Sequence, residues 1–158
     1  MTVLQIGGLA DSLKAAPVTS ISAAYASGDC IGIATKLRIG APASGRLTAI
    51  LQNITVVDRN AQKAPIDYFF FSAEPKASTI TDNAPFVMDD ADDVNLIGIV
   101  SLLNYVTAGA KAVGEADQIA KAMKGDDTGY VWIVRVVRAT PTFTTAAALQ
   151  ETFNLLQD

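Results

Sequence analysis

Histidine is absent from this 158-residue chain and cysteine occurs once, at Cys30. Without imidazole there is no histidine general base, no serine or cysteine triad and no histidine-ligated metal, and a single cysteine forms no disulfide within the chain. Cys30, between Asp29 and Ile31, has no imidazole to lower its pKa and reads as a small strand-edge residue rather than a nucleophile. Charge is also scarce. Only 18% of residues are charged against 50% hydrophobic, a balance that points to a surface covered by neighbouring subunits. The net charge is −4 and Lys and Arg cluster nowhere, so a phosphate-neutralising groove is not expected and nucleic acid drops out as a partner. No run approaches the roughly 18 apolar residues of a membrane-spanning helix. Residues 1–8, MTVLQIGG, lack the basic start and long apolar core of a signal peptide, so a soluble, unexported chain with no membrane partner is expected.

What is present is β-forming sequence, and it centres on residues 47–83. The stretch 47–57 is apolar and β-branched, 58–65 (DRNAQKAP) is a run of turn formers, and 66–71 (IDYFFF) is short, aromatic and bounded by Pro65 and Pro75. These are two strands of a long-looped hairpin or of facing sheets. In the first, Leu47, Ala49 and Leu51 share one face while Ile54 and Val56 fall on the other. The inward set therefore changes parity near Gln52 and Asn53, as a β-bulge or a bend between sheets requires. In the second, Tyr68 and Phe70 alternate with Phe69 and Phe71, so one face meets the core and the other meets a helix, an arm or another subunit.

The rest of the chain fits the same class. Residues 1–17 mix glycine, alanine and a few apolar residues without sustained periodicity, and read as an extended arm with a short helical turn near 11–15. A single domain follows over 18–158. Strands are expected at 18–26, 31–39, 97–105 and 130–138, the last apolar on both faces and hence central, with turns at 27–29, 107–110 and 125–129. Residues 72–85 suit a fixed loop, because Thr, Asp and Asn side chains bond nearby backbone. Residues 88–97 suggest a short helix with acids in its first turn. Residues 111–124 are ambiguous between helix and an edge strand followed by irregular chain, and 146–157 between helix and a closing strand that would put Leu149, Glu151, Phe153 and Leu155 on one face. Seven or eight strands at turn-to-turn spacing predict a mainly all-β, jelly-roll-like sandwich with an N-terminal arm and one short helix.

Candidate chemistry is thin. Asp58 and Asp67 bracket the central turn and are the nearest thing to an acid pair, but solvated turn residues explain them better. The acids Asp89, Asp90, Asp92 and Asp93 could hold calcium, yet the segment lacks the glycine and terminal glutamate of an EF-hand loop. Trp132 and Tyr130 could form a sugar platform, though a strand this apolar argues for core. Glycine-rich phosphate loops are missing. The expectation is a non-enzymatic protein with no catalytic, cofactor or metal residues. Its partner-binding candidates are Val3, Leu4, Ile6, Leu9 and Leu13 on the arm, together with Phe69 and Phe71 on the aromatic strand.

The order of features is also familiar. The Tyr-Ala-Ser-Gly-Asp turn at 25–29, LTAILQNITVVDRN, PIDYFFFSAEP, STITDNAPF, DDADDVNLIGIV, GYVWIVRVV and the LQETFNLLQD end together resemble small accessory structural proteins of tailed bacteriophages, over residues 21–158. The resemblance implies a jelly-roll-like capsid decoration or cement protein. Such a protein binds the major capsid protein and itself, as a homo-oligomer (trimer or dimer), on the virion surface after synthesis in the host cytoplasm. A tail or adhesion module that binds carbohydrate through Tyr68, Tyr130 or Trp132 is the other reading.

Overall fold

The computed structural model describes residues 9–40, 45 and 47–157. Among the described residues ten strands form two antiparallel sheets, joined by loops that include one short helix. The strands are β1 (Leu9–Ala15), β2 (Thr35–Arg38), β3 (Thr48–Asp58), β4 (Ile66–Phe71), β5 (Leu96–Leu102), β6 (Tyr105–Ala108), β7 (Lys111–Ala116), β8 (Lys121–Lys124), β9 (Tyr130–Val137) and β10 (Leu149–Gln157), and the helix is α1 (Asp90–Asp93). One sheet runs β1-β10-β3-β7-β6, with β8 also paired to β3; the other runs β2-β9-β4-β5.

The pairing is nested. β1 pairs with β10, β2 with β9, β3 with β7 and β4 with β5, so the first half of the chain is matched in reverse order by the second. The pairs β10·β3 and β9·β4 then join these four ladders into two sheets. A long hairpin rolled in this way is a jelly roll, with β6 and β8 as additions beside β7 and β3. The segments 47–57 and 66–71 are therefore strands of facing sheets.

The parity change read in β3 is a bulge. On β10, Asn154 faces Asn53 but Leu155 faces Leu51, which leaves Gln52 as the extra residue. The opposite neighbour breaks at the same place, since β7 pairs with Ile54 to Asp58 and β8 with Thr48 to Leu51. The connection between β7 and β8 crosses the bulge, where Ile119 N donates to Gln52 O at 3.1 Å. Ala49 and Leu51 on one side of the bulge and Ile54 and Val56 on the other are consequently all buried in the one core.

Three local expectations are corrected. Residues 9–15 are a strand paired along its whole length with β10, where an extended arm with a helical turn near 11–15 was expected. Residues 18–26 are irregular apart from a bridge at Ala24. Their backbone reaches 141–146 through Thr19 N to Ala146 O, Ser22 N to Phe143 O and Tyr25 N to Pro141 O, at 3.0, 2.8 and 3.0 Å. Left-handed Ser22 and Pro141, which has no N–H, prevent a regular ladder there. Residues 111–124 hold two strands, and β7 lies inside the sheet rather than at its edge because β6 pairs outside it. The central strand β9 stands as read, and the ambiguity over 146–157 resolves to the closing strand β10, with Leu149, Glu151, Phe153 and Leu155 buried on one face.

The main core lies between the sheets and includes Leu51, Ile54, Val56, Ile66, Tyr68, Phe70, Ile133 and Phe153. Tyr68 and Phe70 both meet Phe153 edge-on, with ring centroids 5.9 and 6.4 Å apart. A second cluster of Cys30, Phe69, Phe71, Val134 and Val136 lies on the outer face of the β2-β9-β4-β5 sheet. Loops of the chain itself cover it.

Candidate interaction surface

The outer cluster decides the fate of two sequence candidates. Phe69 and Phe71 are buried, packed with Ile80, Phe86, Leu96 and Trp132, and the Phe69 and Phe86 rings lie 5.0 Å apart. The loop 72–95 is pinned over them. Thr79 and Val87 exchange backbone hydrogen bonds, Cys30 N donates to Ala84 O, and Asn83 N donates to Cys30 O. Asp82 accepts from Ser20 Oγ, Tyr25 Oη and Gly32 N at 2.5, 2.7 and 2.7 Å. Asp92 accepts from Ala77 N, Ser78 N and Ser78 Oγ at 2.9, 2.7 and 2.7 Å. The second face of β4 thus meets its own chain, which corrects the expectation that Phe69 and Phe71 are offered to a partner. Among the arm candidates, Leu13 packs partly buried against the main core, the backbone of Leu9 pairs with Gln157, and Val3, Leu4 and Ile6 lie outside the described residues.

The unspent apolar surface is elsewhere, along the stretch that forms one free edge of each sheet. β5 ends the second sheet, β6 ends the first, and only Leu103 and Asn104 separate them. From Val94 to Ala110 the sequence contains no charged residue. Within it Val94 is 81% exposed, Leu103 60%, Val106 73% and Ile99 46%. An exposed edge strand without charge is what soluble proteins avoid, because its open backbone groups and apolar side chains template further pairing. Sequence reasoning marked 97–105 as a strand but missed its edge position, which depends on pairing that local sequence does not encode.

The other candidates are occupied structurally. Asp58, buried at the end of β3, accepts from Asn60 N and Lys63 N at 2.9 and 2.8 Å and so closes its own turn. Asp67 instead accepts from Ser101 Oγ and Arg138 Nε, both at 2.6 Å. The two do not share a site. In the acidic segment, Asp89 caps α1 by accepting from Ala91 N, and Asp92 turns to the loop. Among the described residues no three acidic or thiol side chains converge as metal ligands. Trp132 packs against the outer cluster, and Tyr130 lies under Lys36 Nζ at 4.9 Å from its ring centre. Cys30 is buried, and burial pushes its thiol up to about 11. A groove of about 360 Å³ beside Pro17, Val18, Gly32 and Ile33 is largely apolar, and its one carboxylate, Asp82, is already saturated. Among the described residues no helix is long and apolar enough to cross a membrane.

One charged constellation was not anticipated. Arg135 and Glu151 are fully buried between the sheets, with Arg135 Nε 2.7 Å from Glu151 Oε1 and one terminal nitrogen 2.6 Å from Oε2. Thr35 Oγ1 takes the other terminal nitrogen at 2.8 Å, and Tyr68 Oη donates to Oε1 at 3.1 Å. Burial alone would lower the guanidinium pKa, but the adjacent carboxylate outweighs it and raises it. Burial, then the Glu151 charge, raises the Tyr68 phenol well above its ordinary value. The sequence did carry a signal. Arg135 has the inward parity of Val131, Ile133 and Val137, and Glu151 that of Leu149 and Phe153, so both charges belonged to core faces.

No protein-family model matches the chain, and no curated protein does. Among solved structures, a chain titled Desmodium yellow mottle tymovirus is similar over 99% of this chain and 85% of that one, at 11% identity and a TM-score of 0.27. That likeness is too distant to bear on fold or role.

Proposed function

We propose that the chain is a non-enzymatic virion structural protein of the capsid decoration or cement type, binding across major capsid subunits of a tailed bacteriophage and reinforcing the shell. The observation that carries this reading is the uncharged, apolar edge formed by β5 and β6, which the other described residues leave uncovered although the loop 72–95 covers the second apolar face. A part whose function is to be covered has reason to keep such an edge. A soluble enzyme would be expected to blunt it. The two-sheet jelly roll is an architecture shared by viral capsid domains and lectins, so the fold admits the role without assigning it. The sequence resemblance adds the phage context. A carbohydrate-binding module is less well supported, since Tyr68 is in the core, Trp132 lies against the outer cluster and Tyr130 is overlain by Lys36.

The test is co-sedimentation of the purified protein with expanded phage shells that lack their decoration. Saturable binding with a fixed stoichiometry per capsomer is expected, along with a higher temperature of shell disruption. Shells that neither bind nor gain stability would overturn the assignment. Deleting residues 1–16 is no test of an arm, because it removes β1 from the sheet. Serine at Val3, Leu4 and Ile6 together changes no residue of a described strand, and weaker shell binding is the expected result.

A further inference from the structure

We infer that the β5 edge pairs antiparallel with β5 of a second copy of this chain, extending the β2-β9-β4-β5 sheet across a two-fold axis; this deepens the structural role proposed above and rests on it. The argument is a comparison of free edges. β1 carries Lys14, β2 carries Lys36 and Arg38, and β8 carries Lys121 and Lys124, so each bears charge that discourages a further strand. β6 is only four residues long. Lys63 Nζ reaches Thr107 Oγ1 at 2.5 Å, and Lys111 is paired opposite Ala108. β5, seven residues long, has no charge and, among the described residues, a strand on one side only.

One end of β5 is guarded. The register slips between Phe70 and Phe71, leaving Ile97 as the extra residue. That bulge closes this end to regular pairing. The open part is therefore Ile99 to Leu103, where Ile99, Ser101 and Leu103 are exposed. Open backbone groups call for a strand rather than a helix or a small molecule. Charge selects which strand: an uncharged segment laid against itself duplicates no like charges, whereas self-pairing at β2 would bring Lys36 and Arg38 close to their copies. A two-fold operation makes such a contact self-complementary and closed, so it ends at a dimer instead of a fibre.

The experiment is sedimentation equilibrium of the full chain, with shell co-sedimentation run on the same preparations. The wild type is expected at twice the mass of one chain, and Ile99→Lys is expected to raise the concentration of half-dissociation about tenfold or more. Val106→Lys, on the guarded β6 edge, should leave the mass unchanged. Hydrogen exchange provides a reading independent of any variant: amides of residues 99–103 should lose protection on dilution while those of β9 keep it. A wild type that stays a monomer yet binds shells overturns the pairing and leaves the structural role standing. A dimer that ignores shells supports the pairing and removes that role. A dimer dissolved by Val106→Lys but not by Ile99→Lys would also overturn the assignment to β5.

Discussion

Two regions of this molecule invert the ordinary distribution of charge and grease. Between the sheets, Arg135 and Glu151 are wholly enclosed, while Val94, Ile99, Leu103 and Val106 stand in solvent on a stretch with no charge at all. The difference is whether the chain completes the site itself. Inside, Thr35, Tyr68 and the two charges satisfy one another, and no buried side-chain polar atom among the described residues is left without a partner. At the edge, none of the described residues supplies a further strand. A closed interior is a property of the fold, whereas an open edge is a property of the assembly that the fold serves.

The comparison breaks most visibly at the interior pair. Replacing Glu151 by Gln leaves the Arg135 guanidinium buried without a countercharge, and stability should fall by about 3–5 kcal/mol in urea unfolding. The double variant Arg135→Met, Glu151→Leu should recover most of that loss, because burying the ions costs desolvation that apolar side chains avoid. A single variant that loses less than about 1 kcal/mol would mean that water reaches the pair, and the interior would no longer count as closed.

Next in size is the outer cluster, the apolar face that the chain covers for itself. Phe71→Ala should cost about 3 kcal/mol or more, as a buried aromatic does. A cost under about 1 kcal/mol would show that the 72–95 loop lifts readily from the sheet, and Phe71 would return to the surface available to a partner. Phe71 also marks the limit of what could be read from sequence. Alternation showed that both faces of β4 must be covered, but what covers the second face depends on Asp82 reaching Ser20, Tyr25 and Gly32 from far along the chain. Gln52 is the opposite case. A parity change is local, so the bulge was legible. Residues 18–26 alternated like a strand and are not one, because their partner segment contains Pro141. The Arg135–Glu151 site lay half-visible in parity, and only the nested pairing brought the two strands opposite.

A smaller effect separates the two regions by pH. The Asp92 and Asp126 carboxyls are held below their ordinary range: burial pushes the other way, but hydrogen bonds from Ser78 and Ala77, and from Thr128 and Tyr130, outweigh it. A depressed carboxyl contributes stability that is complete above its unfolded pKa and is lost as pH falls through the folded one. The melting temperature should therefore hold down to about pH 5 and drop below about pH 4, less steeply in Asp92→Asn. At the alkaline end the Cys30 thiol, raised from 9.0 to about 11 by burial, contributes stability present below pH 9 and lost as pH climbs towards 11. Cys30→Ala should flatten that limb. The one titratable group of the edge, the Tyr105 phenol, is pushed up by burial, so association should not follow these limbs while the fold persists.

The smallest expected change in stability belongs to the edge, and the comparison is sharpest there. Leu103→Ser and Val94→Ser remove exposed apolar groups from an open margin, so the unfolding free energy of the isolated chain should stay within about 0.5 kcal/mol of the wild type. Self-association through Leu103, and shell binding along with it, should nevertheless weaken, because in the assembled state these side chains leave water and their apolar area then contributes roughly 25 cal/mol per Å². The paired measurement is urea unfolding beside shell co-sedimentation for each variant. Equal stability with lost binding separates an edge kept for assembly from one kept for folding. A loss of stability as large as that of Phe71→Ala would place Leu103 in the chain's own core and leave the exposed edge without a purpose.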